Sequence, residues 1–99
     1  MNDSGVGRLV VCPMPIGNLE DVTLRVLSAL READVVACED TRRTRVLLER
    51  YGVSATLVSY HEHNELPRAT QLVERMRRGD VVALVSDAGM PLVSDPGFV

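Results

Sequence analysis

Four short apolar runs that do not alternate with polar residues constrain this chain more than any other feature: RLVVC (8–12), VVAC (35–38), TLVSY (56–60) and VVALV (81–85). A strand covered on one face reads as an alternation, whereas a run without alternation has to be covered on both faces. Each run is too short for a helix, and the segments between them carry helical spacing. The order strand, helix, strand, helix, strand, helix, strand with short connections predicts an α/β domain of three layers, a mostly parallel sheet with helices on both faces.

The helices are legible in outline. Val22, Val26, Leu27, Leu30 and Ala33 recur on one helical face, and Asn18 with Asp21 three residues on resembles a capping box that opens this helix. Asp34 closes it. Over residues 41–51 Val46, Leu47 and Leu48 sit among arginines, with Asp40 as N-cap and Gly52 as the residue that ends the helix. Leu66, Ala69, Leu72, Val73 and Met76 form a third amphipathic stripe, with Pro67 tolerated in its first turn.

At 99 residues and 45% hydrophobic content the chain fits one domain with a small core. Its eleven basic residues are all Arg against fourteen acidic ones, and the net charge of −3 argues against a wholly electrostatic nucleic-acid binder while allowing local basic patches. Cys12 and Cys38 form no Cys-x-x-Cys or Cys/His spacing, so they read as small buried hydrophobes in a reducing cytoplasm, with no metal site signalled. No stretch approaches the length of a membrane span, and residues 1–7 read as a flexible N-terminus.

In open parallel sheets ligands bind outside the carboxyl ends of the strands. Four loops lie there: PMPIGN (13–18), EDTRRT (39–44), HEHNE (61–65) and SDAGMPLVSDPG (86–97). The first has a single Gly beside two prolines, so it is neither a dinucleotide fingerprint nor a P-loop; it suits a plain turn, a carboxylate or a neutral adenosyl group. The last carries two Gly, two Pro, two Asp and two Ser in twelve residues, more than a plain connector needs. His61 and His63 face one way if the strand persists, which suits proton transfer; no third metal ligand follows at a fixed spacing. Glu39 points toward the cleft or caps with Asp40, and Arg42, Arg43, Arg45 and Arg50 read either as a solvated helix face or as contacts to RNA phosphates.

PIGNLEDVTLR (15–25), ACEDTRRT (37–44), HEHNE (61–65) and VSDAGMPLVSDPG (85–97), in this order and spacing, resemble the ribosomal RNA small subunit methyltransferase I family of the tetrapyrrole methylase group, the class III S-adenosylmethionine-dependent methyltransferases. The resemblance implies methyl transfer from S-adenosylmethionine to the ribose 2′-oxygen of a cytidine in small-subunit ribosomal RNA, with the rRNA or the 30S subunit as partner. It implies residues 8–99 as the N-terminal domain of a two-domain homodimeric enzyme whose C-terminal domain is absent here. Pro15, Ile16, Gly17 and Asn18 with Ser86, Asp87, Ala88, Gly89, Met90 and Pro91 would then wall the cofactor. Arg42, Arg43 and Arg45 would contact RNA, and Glu39, His61, His63 and Asp87 are the candidates for receiving the hydroxyl proton. Two alternatives stay open: a small-molecule methyltransferase of the tetrapyrrole type, and a non-catalytic association domain.

Overall fold

A computed structural model describes residues 7–15, 17–61 and 63–86. Its elements are β1 (Arg8–Pro13), a 3₁₀ turn (Leu19–Asp21), α1 (Leu24–Glu32), β2 (Val35–Cys38), α2 (Thr41–Arg50), β3 (Leu57–Ser59), α3 (Glu65–Arg77) and β4 (Val81–Ser86). The strands form one sheet in the order β1-β4-β2-β3 with every pairing parallel. The α/β reading therefore holds.

The chain steps across the sheet one way from β1 through β2 to β3 and then returns to β4 between β1 and β2. Right-handed crossovers put connections that run in opposite directions on opposite faces. Accordingly, Val26 and Leu30 of α1 and Leu47 and Leu48 of α2 pack with Val36, Cys38, Ala83 and Val85 on one face. On the other face Leu72 of α3 packs with Val35, Ala37 and Val82. All four β2 residues are buried, as its unbroken apolar run requires.

Two expectations are corrected. Asn18 does not cap the first helix: its Oδ1 accepts from the Glu20 N–H at 2.9 Å and caps the 3₁₀ turn, and the chain then extends at Val22. The helix proper starts after Thr23, whose Oγ1 accepts from the Val26 N–H at 3.1 Å. The 3₁₀ turn also meets a distant segment: the Tyr51 hydroxyl donates to the Leu19 carbonyl and Arg50 pairs with Glu20, both from the far end of α2. The α3 stripe is also wider than the sheet can cover. Leu72 is buried, but Leu66 and Val73 are exposed, because among the described elements α3 is the one helix on its face and contacts the sheet along a narrower line.

The amino end of the sheet is closed by main-chain pairing. The Gly7 N–H donates to the Met76 carbonyl at 2.7 Å and the Arg8 N–H to that of Asp80. Asp34 makes a double link to Val81, its N–H reaching the Val81 carbonyl and its Oδ2 accepting from the Val81 N–H at 2.7 Å. Gly7 has to be glycine here, since a Cβ would lie 1.9 Å from the Asp80 carbonyl oxygen.

Candidate functional site

The strands end in line. Cys12 is level with Val85, Val85 with Cys38, and Cys38 with Ser59, so the connections after all four strands leave from one edge. In-register parallel strands bring those loops together by construction, since neighbouring strands are only about 4.8 Å apart.

The first loop is pinned from below and from the side. Met14 is buried in the core and its N–H donates to the Ser86 carbonyl at 2.9 Å, continuing the β1–β4 pairing. Arg43 Nη2 donates to the Pro15 carbonyl, tying the loop to the start of α2. Gly17 sits at φ +90°, which only glycine adopts freely, and a Cβ there would meet nothing within 4 Å. Ile16, Asp87, Ala88, Gly89, Met90 and Pro91 lie outside the described residues.

Helix α2 starts as expected. Asp40 Oδ1 accepts from the N–H groups of Arg42 and Arg43 at 3.0 and 3.2 Å. The three arginines then diverge: Arg42 and Arg45 are exposed, while Arg43 is half-buried beneath the first loop. Its Nε and the Oγ1 of the neighbouring residue, Thr44, are buried with no hydrogen-bond partner among the described residues. Arginine suits this position because one planar fork presents several donors in fixed geometry.

A cleft of about 460 Å³ opens beside Glu39 after β2 and Tyr60 and His61 after β3, and is closed by His63 and Glu65 at the start of α3. The strand does not persist to the histidines, because β3 ends at Ser59. A turn brings the imidazoles together instead, edge to face with centroids 5.7 Å apart. Asn64 organises that turn: its Oδ1 accepts from the His61 N–H at 2.9 Å and its Nδ2 donates to Ser59 Oγ at 3.2 Å. His61 Nδ1 accepts from the His63 N–H at 3.2 Å, so the accepting nitrogen of the ring serves the turn. His63 is exposed, and its ring meets only the edge of His61. Glu39, His61 and His63 therefore share one cleft, with His61 as its wall and Glu39 and His63 as the groups facing outward. Beneath the edge, burial pushes the Cys12 thiol from 9.0 up to about 11. Among the described residues no group of three or more His, Cys, Asp or Glu is placed to hold a metal ion, and no helix is long and apolar enough to cross a membrane.

An all-parallel sheet whose polar loops gather at one edge is common to many enzymes; the order of the loop sequences is more specific. Residues 8–98 match the profile of the Tetrapyrrole (Corrin/Porphyrin) Methylases. The chain belongs to that family. Among its relatives, proteins named ribosomal RNA small subunit methyltransferase I are 48% identical in Thermotoga maritima over 94% of this chain, 47% in Escherichia coli O157:H7 over 97%, and 53% in Micromonospora olivasterospora over 98%. The aligned parts are 42%, 34% and 31% of those proteins, so the chain spans about a third of the length of the relatives it matches. For a tetrapyrrole methylase domain, sequence reasoning missed three contributors to this edge: Met14 as the loop anchor, Arg43 as its tether, and Asn64 as organiser of the histidine turn. Only Asn64 left a local signal, an Asn just before a helix start.

Proposed function

We propose that the protein containing this chain is an S-adenosylmethionine-dependent methyltransferase that acts on small-subunit ribosomal RNA, at the ribose 2′-oxygen of a cytidine. The observation that carries the reading is identity of 47–53% over nearly the whole chain to proteins named for that activity. Pro15, Ile16, Gly17 and Asn18 with Ser86, Asp87, Ala88, Gly89, Met90 and Pro91 hold the cofactor in this reading. The first loop suits such a group: its backbone is tethered by Arg43, and at Gly17 it takes a left-handed turn with no described atom within 4 Å of a Cβ position. When bound, the cofactor supplies an electrophilic methyl group on a sulfonium.

The chain's own residues then have two tasks. One is positioning, which removes much of the entropic barrier to a bimolecular displacement. The other is to receive the proton that the ribose hydroxyl loses as its oxygen forms the new bond to carbon. Glu39, His61, His63 and Asp87 are the candidates, and among the described three His63 is favoured, because an imidazole is intrinsically a stronger base than a carboxylate and the accepting ring nitrogen of His61 is already taken by the His63 N–H. Arg42 and Arg45 face solvent on the helix that follows Glu39 and contact RNA phosphates in this reading; Arg43 joins them only through donors not given to Pro15. The protein works in the cytoplasm as a homodimer completed by a C-terminal domain.

The test is methylation of 30S subunits by the complete protein with labelled S-adenosylmethionine, followed by mapping of the modified nucleotide. A single 2′-O-methylcytidine is expected. Labelling of a porphyrinoid and not of 30S subunits would move the reading to a small-molecule methyltransferase. Cofactor binding with neither reaction would overturn both.

A further inference from the structure

The cleft after β2 and β3 has a chemistry of its own. Its lining includes two carboxylates, Glu39 and Glu65, a phenol and two imidazoles, and no arginine. A phosphate entering it would face like charge, whereas a group rich in N–H and O–H donors would be welcomed. Tyr60 and the two imidazoles offer flat surfaces of the kind on which unstacked bases lie. Its volume of about 460 Å³ is within the usual range for a small-ligand site. Positive charge follows in the chain, on the exposed Arg42 and Arg45 of the helix that Asp40 caps directly after Glu39. An acidic cleft followed by exposed arginines suits a nucleotide in a strand, with sugar and base inside and flanking phosphates outside.

We propose that this cleft receives the acceptor nucleoside, and that Glu39 reads an amine-bearing base edge by accepting from its exocyclic N–H. The inference rests on the reading of RNA as the acceptor. Carboxylates select amines because they offer lone pairs and no donor, and a carboxylate facing the amine of cytosine is a known mode of base discrimination. Position agrees. The loops assigned to the cofactor follow β1 and β4, and the cleft follows β2 and β3, which are next in the sheet. The two halves meet at the β4–β2 boundary, where neighbouring strand ends are about 4.8 Å apart. A nucleoside seated in the cleft can therefore extend its ribose toward the methyl donor. The adenosine part of the cofactor has the same donor chemistry, so the experiment separates the two sources.

The complete protein and its Glu39→Gln variant are compared in three measurements. Steady-state methylation of 30S subunits gives kcat and KM for RNA, calorimetry gives the affinity for S-adenosylmethionine, and NMR titration with cytidine and uridine 5′-monophosphates, under saturating S-adenosylhomocysteine, compares an amine-bearing base with one that lacks it. The expected result is a KM for 30S subunits raised about tenfold at similar kcat, unchanged cofactor affinity, and a preference for the cytidine nucleotide of about fivefold or more that the variant loses. Weakened cofactor binding in the variant would assign the cleft to the cofactor and overturn the proposal. A fall in kcat alone would make Glu39 the proton acceptor and also overturn it. If 30S subunits are methylated but the two nucleotides bind equally, the cleft assignment falls and the RNA methyltransferase reading stands. If the cytidine preference is present and lost in Glu39→Gln while 30S subunits are not methylated, the cleft assignment stands and the RNA reading falls.

Discussion

The two ends of the sheet are built from the same strands and treat polar groups in opposite ways. At the amino end Gly7, Arg8, Asp34 and Val81 are paired through the main chain or a short carboxylate, and Gly7 is packed too closely to carry a side chain. At the carboxyl end Glu39 and His63 extend beside a cleft, and the described loop backbone is held in part by side chains, Asn64 at His61 and Arg43 at Pro15. The amino end puts its polar groups into stability. The carboxyl end leaves some of them available for a ligand, as the active edge of a parallel α/β sheet requires.

The sharpest way to erase the difference is to remove the layer both ends rest on. Leu47 is fully buried among α1, α2 and the sheet, and Leu47→Ala should cost about 2–5 kcal/mol in denaturant unfolding, loosening both ends together. Next in size is an alkaline effect at Cys12, which lies in the floor just under the open edge. Its folded value is raised above the unfolded one, so the stabilisation is full below pH 9 and is lost as pH rises toward 11. A loss of at most about 3 kcal/mol is expected over that window and absent in Cys12→Ala, with the native thiol unreactive toward a disulfide reagent at neutral pH. A reactive Cys12 would mean that the floor is open.

At the amino end, Gly7→Ala has to displace the Asp80 carbonyl and should destabilise by about 1–3 kcal/mol, with loss of amide-exchange protection at Gly7 and Arg8. At the carboxyl end, Asp40→Ala removes the cap of α2 and should cost about 1 kcal/mol, read as a lower unfolding midpoint. The smallest effect belongs to the cleft. Glu39→Gln and His63→Ala should change stability by less than about 0.5 kcal/mol, because both side chains are exposed and neither belongs to the hydrophobic core. A large loss from either would make the open end structural and cancel the contrast.

Several details show where sequence reading stops. Asp40 and Gly52 were legible as the ends of α2 because a cap is a local bond and a left-handed residue is a local conformation; Gly52 indeed has φ +68°. The cap of α1 was misplaced because Asn18 and Thr23 both offer capping chemistry, and the 3₁₀ turn between them meets Tyr51 and Arg50, about thirty residues away. Leu66 and Val73 belong to the apolar stripe of α3, but how much of a stripe is covered depends on what lies opposite, and among the described elements no second helix shares that face. Likewise the two histidines meet through a turn held by Asn64, where strand alternation would have been the simpler route.

By itself, then, the sequence determined the all-parallel layered architecture and the edge at which the polar loops collect, since unbroken apolar runs must be covered on both faces and parallel strands send their loops to one side. Only the tertiary structure decided the strand order, the inward turn of Arg43 toward Pro15, and the grouping of Glu39 with Tyr60, His61, His63 and Glu65. The physical reason is range: periodicity and capping act over one or two helical turns, whereas these three outcomes depend on which distant segments pack side by side.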